Sequence, residues 1–366
     1  MIPDTAPDKT QDYPLFQRFP RLASAAPRMA LSSGPSPVSR LSHLSEFLGH
    51  TDVWLKNDGL FGTVYGGNKP RKLEFVLADA IRRGAKRVAT TGVIGTNHGL
   101  ATTLYGRQAG LEVSLLLAYE EPTPESCNLL LQMAAAGADI HYTRSYPLTA
   151  LLAPYFIARF RLRDGRMPYL LGPGGSSSLA ALGYVNAAFE LADQIKAGEI
   201  PEPHSIVIPL GTGGTVAGLL TGLRLAGLDT RLVAVSITRA PTVWRPAVLR
   251  LARSVARLVA RKSGEPEARR VRLDGLDIVS DWIGRGLGHP SAEGEAARTM
   301  LAEFEGLNLD SVYTAKAMAA LTHLAGARAF SGPVLFWHTY NAIPMPEPDP
   351  AAAERIPDSL RRICGL

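Results

Sequence analysis

Apolar positions along the chain fall into two patterns, and from about residue 52 these alternate. Short, nearly unbroken apolar runs bounded by glycine, proline or polar residues predict buried strands over 52–56, 87–91, 112–118, 139–143, 205–210, 231–238 and 334–337. Between them the spacing shifts to three and four. Leu73, Val76, Leu77, Ala80 and Ile81 share one face of a helix over 71–83. Further helices are predicted over 97–109, 126–136, 179–196, 215–225, 292–305, 315–325 and 351–366. Strands alternating with helices imply βαβ units and parallel sheets. The expected fold class is therefore α/β. Residues 1–50 lack this order and read as an arm rich in Pro, Ser and Ala, with one short helix near 39–48. The Pro- and Gly-rich segment 168–175 is the clearest place for a crossing between domains.

Composition narrows the class. A chain of 366 residues, 46% of them hydrophobic, is long enough for two domains or one large α/β unit. The net charge of +6 suggests nucleic acid at first sight, but nine basic residues sit in the single stretch Arg245 to Arg272 and the remainder is nearly balanced. That stretch reads as the solvated face of a basic helix, so no nucleic-acid partner is expected. Cys127 and Cys364 form neither a metal-spaced cluster nor a disulfide framework, which makes a reducing compartment the default and a metal unexpected. The first 13 residues are polar and partly acidic, unlike a secretory signal, and no apolar run approaches a membrane span. A soluble cytoplasmic protein is expected.

Four segments carry candidate chemistry. In Ile208–Gly218 a strand ends, Gly211, Thr212, Gly213 and Gly214 turn the chain, and a helix begins at Thr215. Free N–H groups and the helix dipole at such a turn bind phosphate. The loop lacks the Lys-Ser/Thr of a Walker motif, and Val216 stands where a dinucleotide loop needs glycine, so both nucleotide readings fail. In Gly66-Gly67-Asn68-Lys69-Pro70-Arg71-Lys72, Lys69 stands at a helix mouth; the dipole and the cations Arg71 and Lys72 should lower its proton affinity and free its amine for attack on an aldehyde. Thr96, Asn97 and His98 mark a third strand-to-helix junction that suits a carboxylate or phenolate oxygen, with simple capping as the alternative. Tyr313 and Thr314 open a fourth helix.

Together these segments resemble the 1-aminocyclopropane-1-carboxylate (ACC) deaminase and D-cysteine desulfhydrase group of fold type II enzymes that depend on pyridoxal 5′-phosphate (PLP). The likeness runs from Phe16 to Thr339 and includes Gly66 to Phe75, Gly174-Gly175-Ser176 with Gly183-Tyr184, Val312 to Met318, and Phe336-x-His338-Thr339. It implies two open, largely parallel sheets flanked by helices, with the active site in the cleft between them. Residues 1–71 and 175–366 would form a discontinuous cofactor-binding domain and 72–174 a smaller inserted one. It implies that Lys69 carries PLP as a Schiff base and moves the substrate Cα proton, and that Lys72 and Gly211 to Thr215 hold the phosphate. Asn97 would meet the ring oxygen, Thr96 and Asn97 the substrate carboxylate, Tyr313 the reacting substrate and Thr314 the pyridine nitrogen. A homodimer acting on a small amino acid is implied as well.

The chain also departs from the group. Leu287 replaces a second active-site Tyr; Gly95 replaces a Gln; Lys56-Asn57-Asp58-Gly59 and His338-Thr339-Tyr340-Asn341 replace Lys-Arg-Asp-Asp and His-Thr-Gly-Gly. These changes gather at the substrate end, where Thr96, Asn97, His98, Leu287 and Tyr340 are expected to face the substrate. A neutral Thr314 at the ring nitrogen suits β-elimination better than ring opening. The alternatives are β-replacement, γ-chemistry, epimerisation or ACC-type deamination of a non-standard amino acid, or PLP binding without catalysis. The basic stretch from 244 to 272 is a further departure, fit for a lid or a subunit contact.

Overall fold

Runs of β-branched and leucine residues make the interior strands, and glycine turns aim their carboxyl ends at one cleft. In the computed structural model, which describes residues 13–240 and 243–366, the strands are β1 (Val38–Arg40), β2 (Val53–Asn57), β3 (Arg87–Val93), β4 (Glu112–Ala118), β5 (Asp139–Arg144), β6 (Tyr169–Leu171), β7 (Ser205–Leu210), β8 (Arg231–Ser236), β9 (Leu276–Val279) and β10 (Val334–His338). The helices are α1 (Pro14–Arg18), α2 (Pro20–Ala25), α3 (Ser42–Leu48), α4 (Asn68–Arg82), α5 (Asn97–Gln108), α6 (Pro124–Ala135), α7 (Tyr146–Asp164), α8 (Leu182–Lys196), α9 (Gly214–Leu225), α10 (Arg245–Ser263), α11 (Ala292–Glu305), α12 (Thr314–Gly326) and α13 (Asp358–Cys364). One sheet has the order β1-β2-β10-β7-β8-β9, parallel except for the edge pair β1–β2; the other, β5-β4-β3-β6, is wholly parallel. The α/β class and parallel sheets are as expected. The polar start of the chain, read as no signal, lies outside the described residues except for Tyr13.

Several expectations are corrected. The arm is more ordered than its composition suggests: Leu15, Phe16, Phe19 and Leu22 pack with Phe75, Val185 and Val259 into a core of their own. The terminal helix expected over 351–366 is broken at Pro357 into a 3₁₀ turn (Pro350–Arg355) and α13. This segment, grouped by sequence with the large domain, instead packs Ala352, Ile356 and Leu360 into the core of the four-stranded sheet. The cysteines, expected to form no disulfide, are bonded: Cys127 of α6 and Cys364 of α13 have Cα atoms 5.5 Å apart. The argument for a reducing compartment loses its basis there. The basic stretch is not a lid. The apolar stripe of α10 (Val248, Ala252, Val255, Ala256, Val259) is buried while its arginines face outward. No helix among the described residues is long and apolar enough to cross a membrane.

A buried polar cluster anchors the start of α4. The Arg71 guanidinium donates to both oxygens of Asp58 (3.0 and 2.7 Å) and to Glu190 (2.9 Å). Trp337 Nε1 and Tyr184 Oη also donate to Asp58, and Lys56 to Glu190. These groups come from β2 and the 3₁₀ turn after it, α4, α8 and β10, so one network pins the helix mouth to the larger sheet.

Candidate functional site

The carboxyl ends of the parallel strands open on one cavity of about 660 Å³, where ligands settle in open α/β sheets. Lys69 lines it from the first turn of α4. Gly67 takes φ = 90° just before the helix, and a Cβ there would meet the Thr339 carbonyl at 2.5 Å, so only glycine passes. No hydrogen bond occupies the Lys69 amine among the described residues. Burial lowers its proton affinity to a pKa of about 8, partly offset by the field of Asp310. Arg71 was expected to contribute; it points away and is neutralised by Asp58 and Glu190.

The loop Gly211 to Thr215 faces the same cavity. Gly211, Thr212, Gly213 and Thr215 line it, while Gly214 packs its backbone against Ser176, where a Cβ would lie 2.5 Å from Oγ. Gly213 needs its glycine, with φ = 82° at the N-cap of α9. Asn68 Nδ2 donates to Thr215 Oγ1 at 3.1 Å, which ties the helix mouth of Lys69 to this loop. Thr212 and Ser176 hydroxyls share a bond of 2.6 Å. Lys72 is 3% exposed, with the Gly174 carbonyl as acceptor at 3.3 Å. Burial, then the charge of Lys69, push its pKa well down. A buried lysine with no carboxylate partner among the described residues, hydroxyls, and the N–H groups of a helix start fit a phosphate, whose charge would hold that lysine protonated.

The third segment lines the facing wall. Thr96 caps α5, its hydroxyl accepting the Gly99 N–H at 3.1 Å, as the capping alternative has it. Asn97 Oδ1 accepts from Tyr65 Oη at 2.6 Å, which leaves Nδ2 to donate into the cavity. His98 is 4% exposed and shared between the Thr90 and Thr102 hydroxyls; burial and the nearby lysines hold it neutral. Leu287 and Tyr340 line the cavity, as does Tyr313, whose phenol burial keeps protonated. Thr314 does not. It is fully buried and its hydroxyl donates to Asp310 Oδ1 at 2.6 Å. The carboxylate of Asp310 takes the N–H groups of Val312, Tyr313 and Thr314 and so caps α12.

Asp310, Tyr65, Glu120 and Glu125 also line the cavity and were not singled out by sequence. Glu120 had a usable signal: it follows the carboxyl end of a strand that reads clearly as parallel.

A family model described as pyridoxal-phosphate dependent enzyme matches residues 29–339. D-cysteine desulfhydrase of Salmonella schwarzengrund (strain CVM19633) is 35% identical over 323 residues, 86% of this chain and 94% of that protein; the Salmonella newport (strain SL254) counterpart is 34% identical over the same shares. A crystal structure of an ACC deaminase homologue superposes with a TM-score of 0.76 at 31% identity, covering 89% of this chain and 94% of that one. Tomato (Solanum lycopersicum) threonine deaminase, at 16% identity and a TM-score of 0.58 over 96% of this chain and 88% of its own, shares the fold. The chain belongs to the pyridoxal-phosphate dependent enzymes of fold type II.

Proposed function

We propose that the protein eliminates a β-substituent from a small amino acid, as a D-cysteine desulfhydrase does. The observation that carries this is the Lys69 amine, without a hydrogen-bond partner among the described residues and with a pKa of about 8, tied through Asn68 to the phosphate-fitting loop at Thr215. When bound there, PLP supplies the electron sink that makes a Cα proton removable. Lys69, Lys72 and Gly211 to Thr215 hold the cofactor in this reading, with Asn97 at its ring oxygen.

The remaining steps belong to the side chains. The N-terminus of α5, with the Asn97 amide and Thr96 backbone, receives the substrate carboxylate. Lys69 Nζ takes the Cα proton, for which its neutral form is needed. Tyr313 stays protonated and can donate to the group leaving Cβ. Neutral His98 holds the wall in place. Asp310, the carboxylate on this side of the cavity, already accepts the Thr314 hydroxyl and the N–H groups of Val312, Tyr313 and Thr314; with its acceptor capacity so committed, we favour elimination over cyclopropane opening. Leu287 and Tyr340 in the wall favour, as second reading, a larger non-standard amino acid. The proposal extends to a homodimer, a state supported by the exposed apolar residues Leu151, Tyr155 and Leu162 of α7.

The test is a panel of amino acids offered to holoprotein. D-cysteine should release sulfide and pyruvate, and ACC should release no 2-oxobutanoate. Steady turnover of ACC, with D-cysteine and β-chloroalanine inert, overturns the assignment.

A further inference from the structure

The cavity carries charge that β-elimination does not use. Lys69 and Lys72 stand at the start of α4, and Asp310 is the carboxylate whose field reaches Lys69. Glu120, just beyond β4, and Glu125, in the first turn of α6, line another part of the wall. Neither is in an ion pair among the described residues, whereas neighbouring Glu121 is held by Arg285 at 3.0 Å. Arg298, a cation whose field reaches Glu125, is committed to Glu295 at 2.7 Å.

Each carboxylate has acceptor capacity left over. Glu120 accepts the Gly95 N–H at 3.0 Å, and among the described residues Glu125 has only long contacts of 3.4 Å, from the Ser311 and Tyr340 hydroxyls. The seat of Glu120 is built from glycines. A Cβ on Gly288 would come within 2.4 Å of Oε1, and one on Gly95 within 3.2 Å of Oε2. Gly95 is also the position where the group has Gln, so loss of that side chain makes room for the carboxylate. Glu120 is half-buried and Glu125 more open, which sets one deep and one near the mouth. Burial raises the pKa of both, and the field of Glu125 raises Glu120 further. Four tyrosines stand with them: the charge of Glu120 reaches Tyr146 and Tyr313, that of Glu125 reaches Tyr65 and Tyr340. Carboxylates among aromatic faces are the wall that a cation prefers. The Lys69 amine and the Tyr313 hydroxyl line the same cavity without a hydrogen-bond partner among the described residues, which marks the space between them as the ligand's place.

We infer that the cavity selects an amino acid whose β-leaving group ends in a cation, such as an S-(aminoalkyl)cysteine, with Glu120 and Glu125 receiving that cation. The inference rests on the β-elimination reading for its chemistry. The Cα proton passes to Lys69, the Cβ–S bond breaks with its electron pair going to sulfur, and the thiolate takes a proton. The released 2-aminoacrylate tautomerises and is hydrolysed by water to pyruvate and ammonium.

The test uses holoenzyme and both enantiomers of S-(2-aminoethyl)cysteine, S-ethylcysteine and S-carboxymethylcysteine. Pyruvate release gives kcat/KM, and the change in cofactor absorbance gives Kd. Ornithine against norvaline repeats the binding comparison without a leaving group. In one enantiomeric series the aminoethyl compound should be preferred over the ethyl one by about 10- to 100-fold, the range of one or two charge-assisted hydrogen bonds. Glu120→Gln and Glu125→Gln should each shrink that ratio, and the double variant should bring it to about one. A wild-type ratio near one, or a preference for the carboxymethyl compound, overturns the inference without needing any variant to fold. If no β-substituted compound is turned over yet ornithine still binds better than norvaline, the cation site stands and the elimination reading falls.

Discussion

Burial of Lys69 should be visible as a displaced titration. With a pKa of about 8 in place of the ordinary 10.5, the neutral amine at pH 7 makes up roughly a tenth of the population instead of about one part in 3000, a gain of ~300-fold. The assay is apoprotein treated with pyridoxal, which has no phosphate to perturb the site, followed by borohydride and peptide mapping. The initial rate of Lys69 labelling should rise with pH and level off around 8, while a surface lysine such as Lys196 keeps climbing. Asp310→Asn removes the field that opposes burial, so its midpoint should move lower still. The same displacement acts on stability. Between pH 8 and 10.5 the unfolded chain holds a proton that the folded chain has released, so stability rises with pH across that window and the penalty is complete below it. A Lys69 midpoint above about 10 refutes the claim that burial activates this amine.

Three further outcomes follow from the packing. Gly214→Val places a side chain where Cβ already lies 2.5 Å from Ser176 Oγ; cofactor affinity by equilibrium dialysis should fall at least about tenfold, and unchanged affinity would remove the loop from the phosphate site. Asp58→Asn leaves Arg71 short of a buried counter-charge and should cost about 3–5 kcal/mol by urea unfolding. Glu190 of the same network titrates at about 2, because Arg71 and Lys56 outweigh the burial that alone would raise it; its contribution is present above the unfolded value of 4.5 and is lost as pH falls through 2. Cys364→Ser opens a loop closed over a separation of 237 residues, with an expected loss of up to about 5 kcal/mol; equal stability of the reduced, oxidised and variant proteins would show that the bond does not constrain the unfolded chain.

What the sequence showed and hid has physical causes. The strands Glu112–Ala118 and Ser205–Leu210 and the helix Ala292–Glu305 coincide with their predicted bounds, because an apolar run or one-sided stripe fixes them without help from neighbours. The 19-residue α7 was missed: Phe156 and Phe160 face inward while Leu151, Tyr155 and Leu162 stay exposed, and Pro154 lies inside it. No one-sided stripe exists to read. The edge strands β1, β6 and β9 have three or four residues each, too few for a period, and take their conformation from the strand beside them. The disulfide was invisible for the same reason. Nothing local relates Cys127 to Cys364 until α13 is seated on the core of the smaller sheet.

The site divides along the same line. Its glycine turns were legible because a chain that must bend tightly or approach another backbone has few residues to choose from. Its carboxylates were not, since Glu120, Glu125 and Asp310 arrive from three separate strand or helix ends and acquire meaning only from the cavity they share. Lys69 itself shows how position can be read correctly and cause incorrectly. The helix mouth and adjacent cations gave a local reason for a free amine, yet Arg71 spends its charge on Asp58 and Glu190 on the far side of the helix. Exclusion of water around Lys69 does the larger part. The lysine is thus reactive because of its burial in the cavity that distant segments such as 211–215 help to line, and a substitution that opens the cavity should quiet it even with the Gly66–Lys72 motif intact.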